Sequence, residues 1–305
     1  MSAELELFFQ QLLNGLTLGM VYALIALGYT MVYGVIQLIN FAHGEIFMVG
    51  AYLALSAIGL LASFWSAAPF WAVMAFLFAC SVMGSSVLGA AVEKTAYKPL
   101  RKSPKLAALI TSIGVSLFLQ NAVMLIYGSK EQSFPEVVPS VRFSYGVFSI
   151  SLIQLLIFVC SVGFMIFLTW FVRGTRMGKA MRATAENPEA AKLMGVSSDG
   201  VIRTTFVLGS GLAAVAGTLF GMYYGSVNFH DGYLAGLKAF TAAVFGGIGS
   251  IPGAMLGGVL LGIFEGLGSG YVSSEWKDVF AFALLGAVLI LRPSGLLGES
   301  IPEKV

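Results

Sequence analysis

Residues able to do chemistry are sparse in this chain. Gly174-Thr175-Arg176-Met177-Gly178-Lys179-Ala180 has the outline of a phosphate loop, in which backbone N–H groups and a lysine hold phosphates. It has three residues between the glycines where that motif needs four, and Ala180 where a Ser or Thr must hold magnesium. No strand-like run precedes it, so we read no nucleotide binding here. Cys80 and Cys160 lie inside apolar blocks with no second ligand near either in sequence, and read as small core residues, not as a disulfide or metal site. The two histidines fall in short polar interruptions, Asn40-Phe41-Ala42-His43-Gly44-Glu45 and Asn228-Phe229-His230-Asp231-Gly232. No nucleophile–base pair or metal-ligand spacing appears, and the chain is expected not to be an enzyme.

The elements that must position these residues are apolar. Of 305 residues, 58% are hydrophobic and 10% charged, with mean hydropathy +0.89. Soluble domains carry roughly 25% charged residues. Apolar blocks of about 20 residues recur along the whole length, each long enough to cross a hydrocarbon core of about 30 Å. This predicts an all-α integral membrane protein, one transmembrane domain over 1–305, and excludes an outer-membrane barrel, which needs alternating segments of about ten residues. The acidic start MSAELE lacks the basic region of a cleavable signal peptide. With no soluble domain of any size, nucleotide hydrolysis would have to come from another chain.

The first block, Leu7 to Ile36, is long enough for one tilted helix or a helix with a break. Blocks ending near Ala62 and spanning Pro69 to Val92 follow, then a basic loop with Lys94, Lys98, Arg101, Lys102 and Lys105. A span from Leu106 to Tyr127 leads to a segment with Pro135 and Pro139, and a span from Phe148 to Val172 leads to a second basic loop, 173–200. Lys and Arg mark cytoplasmic loops, so both basic loops are assigned to the cytoplasm and the proline segment to the outside. Spans at Val201 to Gly225, Ala239 to Phe264 and Val279 to Leu291 complete about eight membrane segments. Three crossings after the second basic loop would leave the tail outside, and a break or re-entrant excursion within Gly246–Gly253 would return it to the cytoplasm.

The two polar interruptions resemble each other, which is the mark of an internally repeated transporter with broken helices near the midplane. We expect a pseudo-two-fold repeat with the two segments facing each other. Polar residues inside a membrane point to function, so Asn40, His43, Gly44, Asn228, His230 and Asp231 are candidates for a substrate path; Asn40 and Asn228 can equally serve as caps at helix breaks. Glu45 and Glu265 flank apolar blocks and are expected at the membrane surface, and Lys238 opens the Gly-rich block, where it would meet an external partner. The span interiors then hold no Asp, Glu, Lys or Arg, which argues against a proton relay. Gly249, Gly253 and Gly257, and again Gly258 and Gly262, recur at four-residue spacing suited to a close helix–helix seam.

The longest polar run, Arg173 to Val196, contains a strong helix start. Asn187 can cap, Pro188 is preset for the first helical position and Glu189 suits the positive end of the dipole. The helix should stop near Gly195, a good left-handed cap. Two turns are unstable alone in water, so this helix needs a surface, either its own bundle or a cytoplasmic partner.

Glu189-Ala190-Ala191, three residues, then Gly195 matches the EAA-xxx-G loop of ABC importer permeases. YALIALGYTMVYG and NFAHGE near the start, RATAENPEAAKLMGV in the middle, FTAAVFGGIGSIPGAMLGG and LRPSGLLG near the end resemble the branched-chain amino acid ABC permeases of LivH type, the hydrophobic amino acid uptake family. The resemblance covers nearly the whole chain. It implies an inner-membrane subunit, paired with a second permease chain or a copy of itself, two ATPase subunits and a periplasmic binding protein. It implies no cofactor on this chain, with ATP and Mg on the ATPases, and nothing in it points to nucleic acid. Arg182, Glu186, Asn187, Pro188, Glu189, Ala190, Ala191 and Gly195 would then form the ATPase-coupling helix. A passive channel for a small polar solute such as urea, or a permease for urea or amides, is the alternative.

Overall fold

The longest helix, α1 (Ser2–Ile36), is continuous, about 50 Å from end to end at 1.5 Å per residue. Its four glycines do not break it, and three of them, Gly15, Gly19 and Gly28, are used for close packing. The computed structural model describes residues 2–61, 69–101, 103–145, 148–292 and 294–298; Ala62, Lys102 and Pro293 lie outside the described residues. After α1 come α2 (His43–Leu61), α3 (Phe70–Val92) and α4 (Lys105–Tyr127), with a π turn and a short 3₁₀ turn carrying α3 on to Leu100. The strands β1 (Gln132–Ser133), β2 (Arg142–Tyr145) and β3 (Phe148–Ser151) precede α5 (Leu152–Gly174), α6 (Arg176–Glu186), α7 (Pro188–Leu193) and α8 (Ser198–Tyr224). The chain closes with β4 (Ser226–Val227), α9 (Asp231–Gly246), α10 (Ile251–Tyr271) and α11 (Lys277–Leu291). Among the described residues, seven helices are long and apolar enough to cross a membrane; α9 and α11, of 16 and 15 residues, are shorter.

The two basic loops meet at one end of the bundle. Lys98 lies 2.9 Å from Asp199, at the start of α8, and Arg101 bridges Asp199 and Glu93. The proline segment sits at the other end, where β1 pairs antiparallel with β4 (Gln132 with Val227) and β2 with β3. The expected span from Phe148 is corrected here: Phe148–Ser151 is strand, and α5 begins only at Leu152. The reason is local, since Ser151 and Gln154 form a reciprocal capping box that fixes the helix start.

The Gly-rich block, expected from Ala239 to Phe264, is two helices with a break inside the Gly246–Gly253 window. α9 already starts at Asp231, and the chain breaks between Gly246 and Ile251, where Gly247 and Gly249 adopt φ of 106° and 97°. Ser250 caps α10 through the Gly253 N–H at 3.2 Å. The break gives four helices after the second basic loop and brings the chain back to the basic end. There the Leu296 and Leu297 N–H groups donate to the Phe245 and Gly246 carbonyls, both at 2.9 Å. The tail thereby closes the open end of α9.

α1 and α8 form the buried centre, and α4 and α5 present most of their surface outward. α1 packs along α10, α8 along α3, and α2 crosses α9. Each long central helix thus lies against the third helix of the other half, as an inverted repeat requires. The α1–α10 seam uses glycine on both sides: a β-carbon on Gly262 would stand 2.2 Å from the Gly19 Cα and 2.4 Å from the Gly15 carbonyl oxygen. Gly258 and Gly262 face α1, as small residues at this spacing allow. Gly253 and Gly257 face Gly246 and Ala242 of α9, whereas Gly249 is in the break and belongs to no stripe.

Candidate functional site

At the basic end, α7 is closed at both termini. Asn187 Oδ1 accepts from the Glu189 and Ala190 N–H groups, both at 3.0 Å, with Pro188 in the first turn. At the other end Gly195 sits at φ 82°, its N–H on the Lys192 carbonyl, while the Val196 N–H reaches the Ala191 carbonyl at 2.9 Å. This paired closure satisfies the last carbonyls. Ala191 packs inward, and Ser198 Oγ bonds the Pro188 carbonyl, so α7 is fixed to α8. Glu186, Pro188, Glu189 and Ala190 are exposed, and Leu193 and Met194 project at 89% and 84% exposure. Arg182 lies one helix earlier, on α6, and donates to the Val172 carbonyl at the end of α5. The Gly174–Ala180 run is a helix junction: Gly174 ends α5, Thr175 caps α6 through the Gly178 N–H, and Gly178 presses on the Phe171 and Val172 carbonyls.

The two interruptions come together at their glycines. Gly44 touches Gly232 and Gly236, and Gly232 touches Glu45 and Met48. The flanking asparagines differ. Asn40 is buried and accepts from the Tyr97 hydroxyl at 2.8 Å, on the side of the basic loops. Asn228 stands at the other end, where its side chain accepts from the His230 N–H and its own N–H donates to Asp231 Oδ2. Asn228 therefore holds the turn that precedes α9, and Asn40 is a tertiary contact. His43 is 1% exposed, stacked edge-on against Tyr29 at 4.7 Å, while His230 is exposed and lies 2.8 Å from Gln120. The six expected path residues thus separate into a buried group at the crossing (Asn40, His43, Gly44) and an outer group (Asn228, His230, Asp231).

Three charged residues overturn the surface placement given above. Glu45 and Glu265 are completely buried and Lys238 is 5% exposed. Glu45 accepts from Ser116 at 3.1 Å. Glu265 accepts from Lys238 at 2.7 Å and from the Tyr22 hydroxyl at 3.2 Å, with Lys277 at 3.3 Å; Lys238 also reaches Asp278 at 2.6 Å. Lys238 therefore joins α9 to α10 and α11. Isolated charges cannot be buried at acceptable cost, so this cluster exists because its members pair. The expectation of charge-free interiors fails with it, and so does the case it made against a proton relay. Glu265 was missed because α10 runs on to Tyr271, beyond the apolar block ending at Phe264. Glu45 was missed because α2 begins inside the bundle, where a helix terminus normally means a membrane surface.

The sequence profile described as branched-chain amino acid transport system, permease component, matches residues 11–289. The chain is similar to the high-affinity branched-chain amino acid transport system permease protein BraD of Pseudomonas aeruginosa, at 51% identity with 99% of each chain covered. It is similar to the corresponding protein LivH of Escherichia coli strain K12, at 48% identity over the whole of both chains. A probable branched-chain amino acid permease LivH of Methanocaldococcus jannaschii is 27% identical, with 90% of this chain and 88% of that one covered. No solved structure matches.

Proposed function

The chain belongs to the family of branched-chain amino acid transport system permease components, and from that premise we propose how it works. It is a membrane-spanning permease subunit of an ABC importer, and ATP is hydrolysed on separate ATPase subunits. The substrates are leucine, isoleucine and valine or close analogues, the class named for the full-length relatives. The membrane is a bacterial inner membrane, with the basic end of the bundle in the cytoplasm. There α7 sits in a groove of an ATPase subunit, a periplasmic binding protein docks at the opposite end, and a second permease chain completes the pore. A passive channel is not favoured, because the relatives matched over their whole length are components of transport systems.

The observation that carries the coupling role is α7 itself. It is a two-turn helix that water alone would not sustain, held rigid by caps at both ends, with Leu193 and Met194 projecting nearly free. A large exposed apolar pair on a rigid mount is what a partner groove needs. The test is Glu189→Arg and Leu193→Asp in the assembled transporter, reconstituted in vesicles. Amino acid uptake should be lost and hydrolysis should no longer respond to loaded binding protein, with the permease still folded. Unchanged uptake in both variants would remove α7 from the coupling path.

A further inference from the structure

α9 places Asp231, Leu234, Ala235 and Lys238 at i, i+3, i+4 and i+7, on one face. All four line a cavity of about 310 Å³ that opens at the end opposite the basic loops, where Glu131 and Ser226 form its rim. Leu18 and Phe220 add an apolar wall, and Lys277 and Asp278 of α11 close the side. Within it the Lys238 ammonium bridges Glu265 at 2.7 Å and Asp278 at 2.6 Å. These acids differ: Glu265 is wholly buried, whereas the Asp278 side chain is 49% exposed.

We propose that this cavity receives the substrate on the outer side, and that the Lys238–Asp278 pair exchanges partners with a zwitterionic amino acid. It rests on the transport function proposed above. The carboxylate takes the Asp278 position on Lys238, the ammonium takes the Lys238 position on Asp278, and Glu265 keeps Lys238 in place. The ammonium and carboxylate of an α-amino acid hang on one carbon, so both reach a broken ion pair together. Every charge stays paired through the exchange. A simple anion would replace Asp278 on Lys238 and a simple cation would replace Lys238 on Asp278, each forming one ion pair where the zwitterion forms two. The branched side chain lies along Leu234, Ala235, Leu18 and Phe220. Separating Asp278 from Lys238 also removes the ion pair that ties α11 to α9.

Leu234 is 42% exposed and accepts a cysteine without a core defect, so it reports occupancy. In the assembled transporter, with Cys80 and Cys160 replaced by serine in a background retaining uptake, Leu234→Cys is labelled from outside by a small maleimide. Millimolar leucine should at least halve the labelling rate, while leucinamide (a cation) and isovalerate (an anion) leave it unchanged. Asp278→Asn should abolish the protection. Absence of protection by leucine, in vesicles that take up leucine when binding protein and ATP are supplied, would overturn the site. Equal protection by isovalerate or leucinamide, or protection that survives Asp278→Asn, would overturn the pair exchange. Vesicles that take up no amino acid at all would instead overturn the transport function, and this inference with it.

Discussion

Gly44 and Gly232 hold the same place in two N-F-x-x-G segments, and they meet inside the bundle. A β-carbon on Gly44 would stand 2.3 Å from the Gly232 carbonyl oxygen and 2.6 Å from the Gly236 Cα. The two segments reach this contact from opposite ends, Asn40 beside Tyr97 near the basic loops and Asn228 beside β4. The approach is backbone on backbone, so no side chain can move aside to relieve a larger residue. Relative movement of α2 and α9 passes through this crossing.

Gly44→Ala and Gly236→Ala should therefore force α2 and α9 apart. Overpacking of this kind costs about 1–3 kcal/mol, read as a lower thermal unfolding midpoint of the purified protein and reduced uptake. Gly163→Ala is the control, since nothing lies within 4 Å of its β-carbon position. It should hold or raise the midpoint, because alanine is favoured over glycine in a helix. Equal midpoints for all three variants would show that the crossing tolerates separation.

How much of this was legible in the sequence depended on where each signal was local. The caps of α7 and the break after Gly246 rest on Asn, Pro and Gly acting within a few residues, and both stand where the residues put them. The paired interruptions were visible as a motif, and their meeting followed from the inverted packing that a repeat implies. What could not be read was depth. Glu45, Glu265 and Lys238 sit next to apolar blocks exactly as surface residues do, and only the partners brought by distant helices, Ser116, Tyr22 and Asp278, make their burial affordable. Such pairings span up to 243 residues of chain, far beyond any local pattern. The Phe148 error had a similar source: four apolar-edged residues suit a strand or a helix, and the capping box decided between them.

The buried ion cluster makes a prediction about stability. Removing one partner of a buried pair strands the other charge and costs about 3–5 kcal/mol, so Glu265→Leu and Lys238→Met should each lower the unfolding midpoint sharply. The double variant removes both charges and should recover part of the loss, since apolar replacement of a whole pair is often neutral. Lys277 and Asp278 lose Glu265 and Lys238 as partners in the double variant, which limits the recovery. A double variant whose loss equals the sum of the singles would mean that Lys238 and Glu265 do not interact.

The caps of α7 predict a separation of coupling from folding. Asn187→Ala removes the acceptor for two N–H groups, a change worth about 1 kcal/mol at a helix start. Gly195→Val forces a β-branched residue into a left-handed φ of 82°. Both act on an exposed element, so membrane insertion and the bundle's unfolding midpoint should stay near wild type. Substrate-dependent ATP hydrolysis should fall in both. Full coupling with either cap removed would show that the ATPase groove, rather than the caps, shapes this helix.

His43 poses the last question, because its buried ring bonds the Ile25 backbone through one nitrogen and leaves the other unpaired. The imidazole is 1% exposed, Nε2 has no hydrogen-bond partner among the described residues, and it lies 2.3 Å from where a Gly28 β-carbon would be. A buried polar atom left unpaired costs about 1–3 kcal/mol. His43→Leu removes that atom at similar volume but also the bond to the Ile25 backbone, so the unfolding midpoint should change little. If the imidazole serves transport, as its place one residue before the Gly44 crossing suggests, uptake should fall at undiminished stability. Thermal unfolding and uptake measured on the same preparation separate the cases. A midpoint that drops by several degrees would show that edge-on packing against Tyr29, 4.7 Å away, outweighs the unpaired nitrogen, and would make His43 a structural residue.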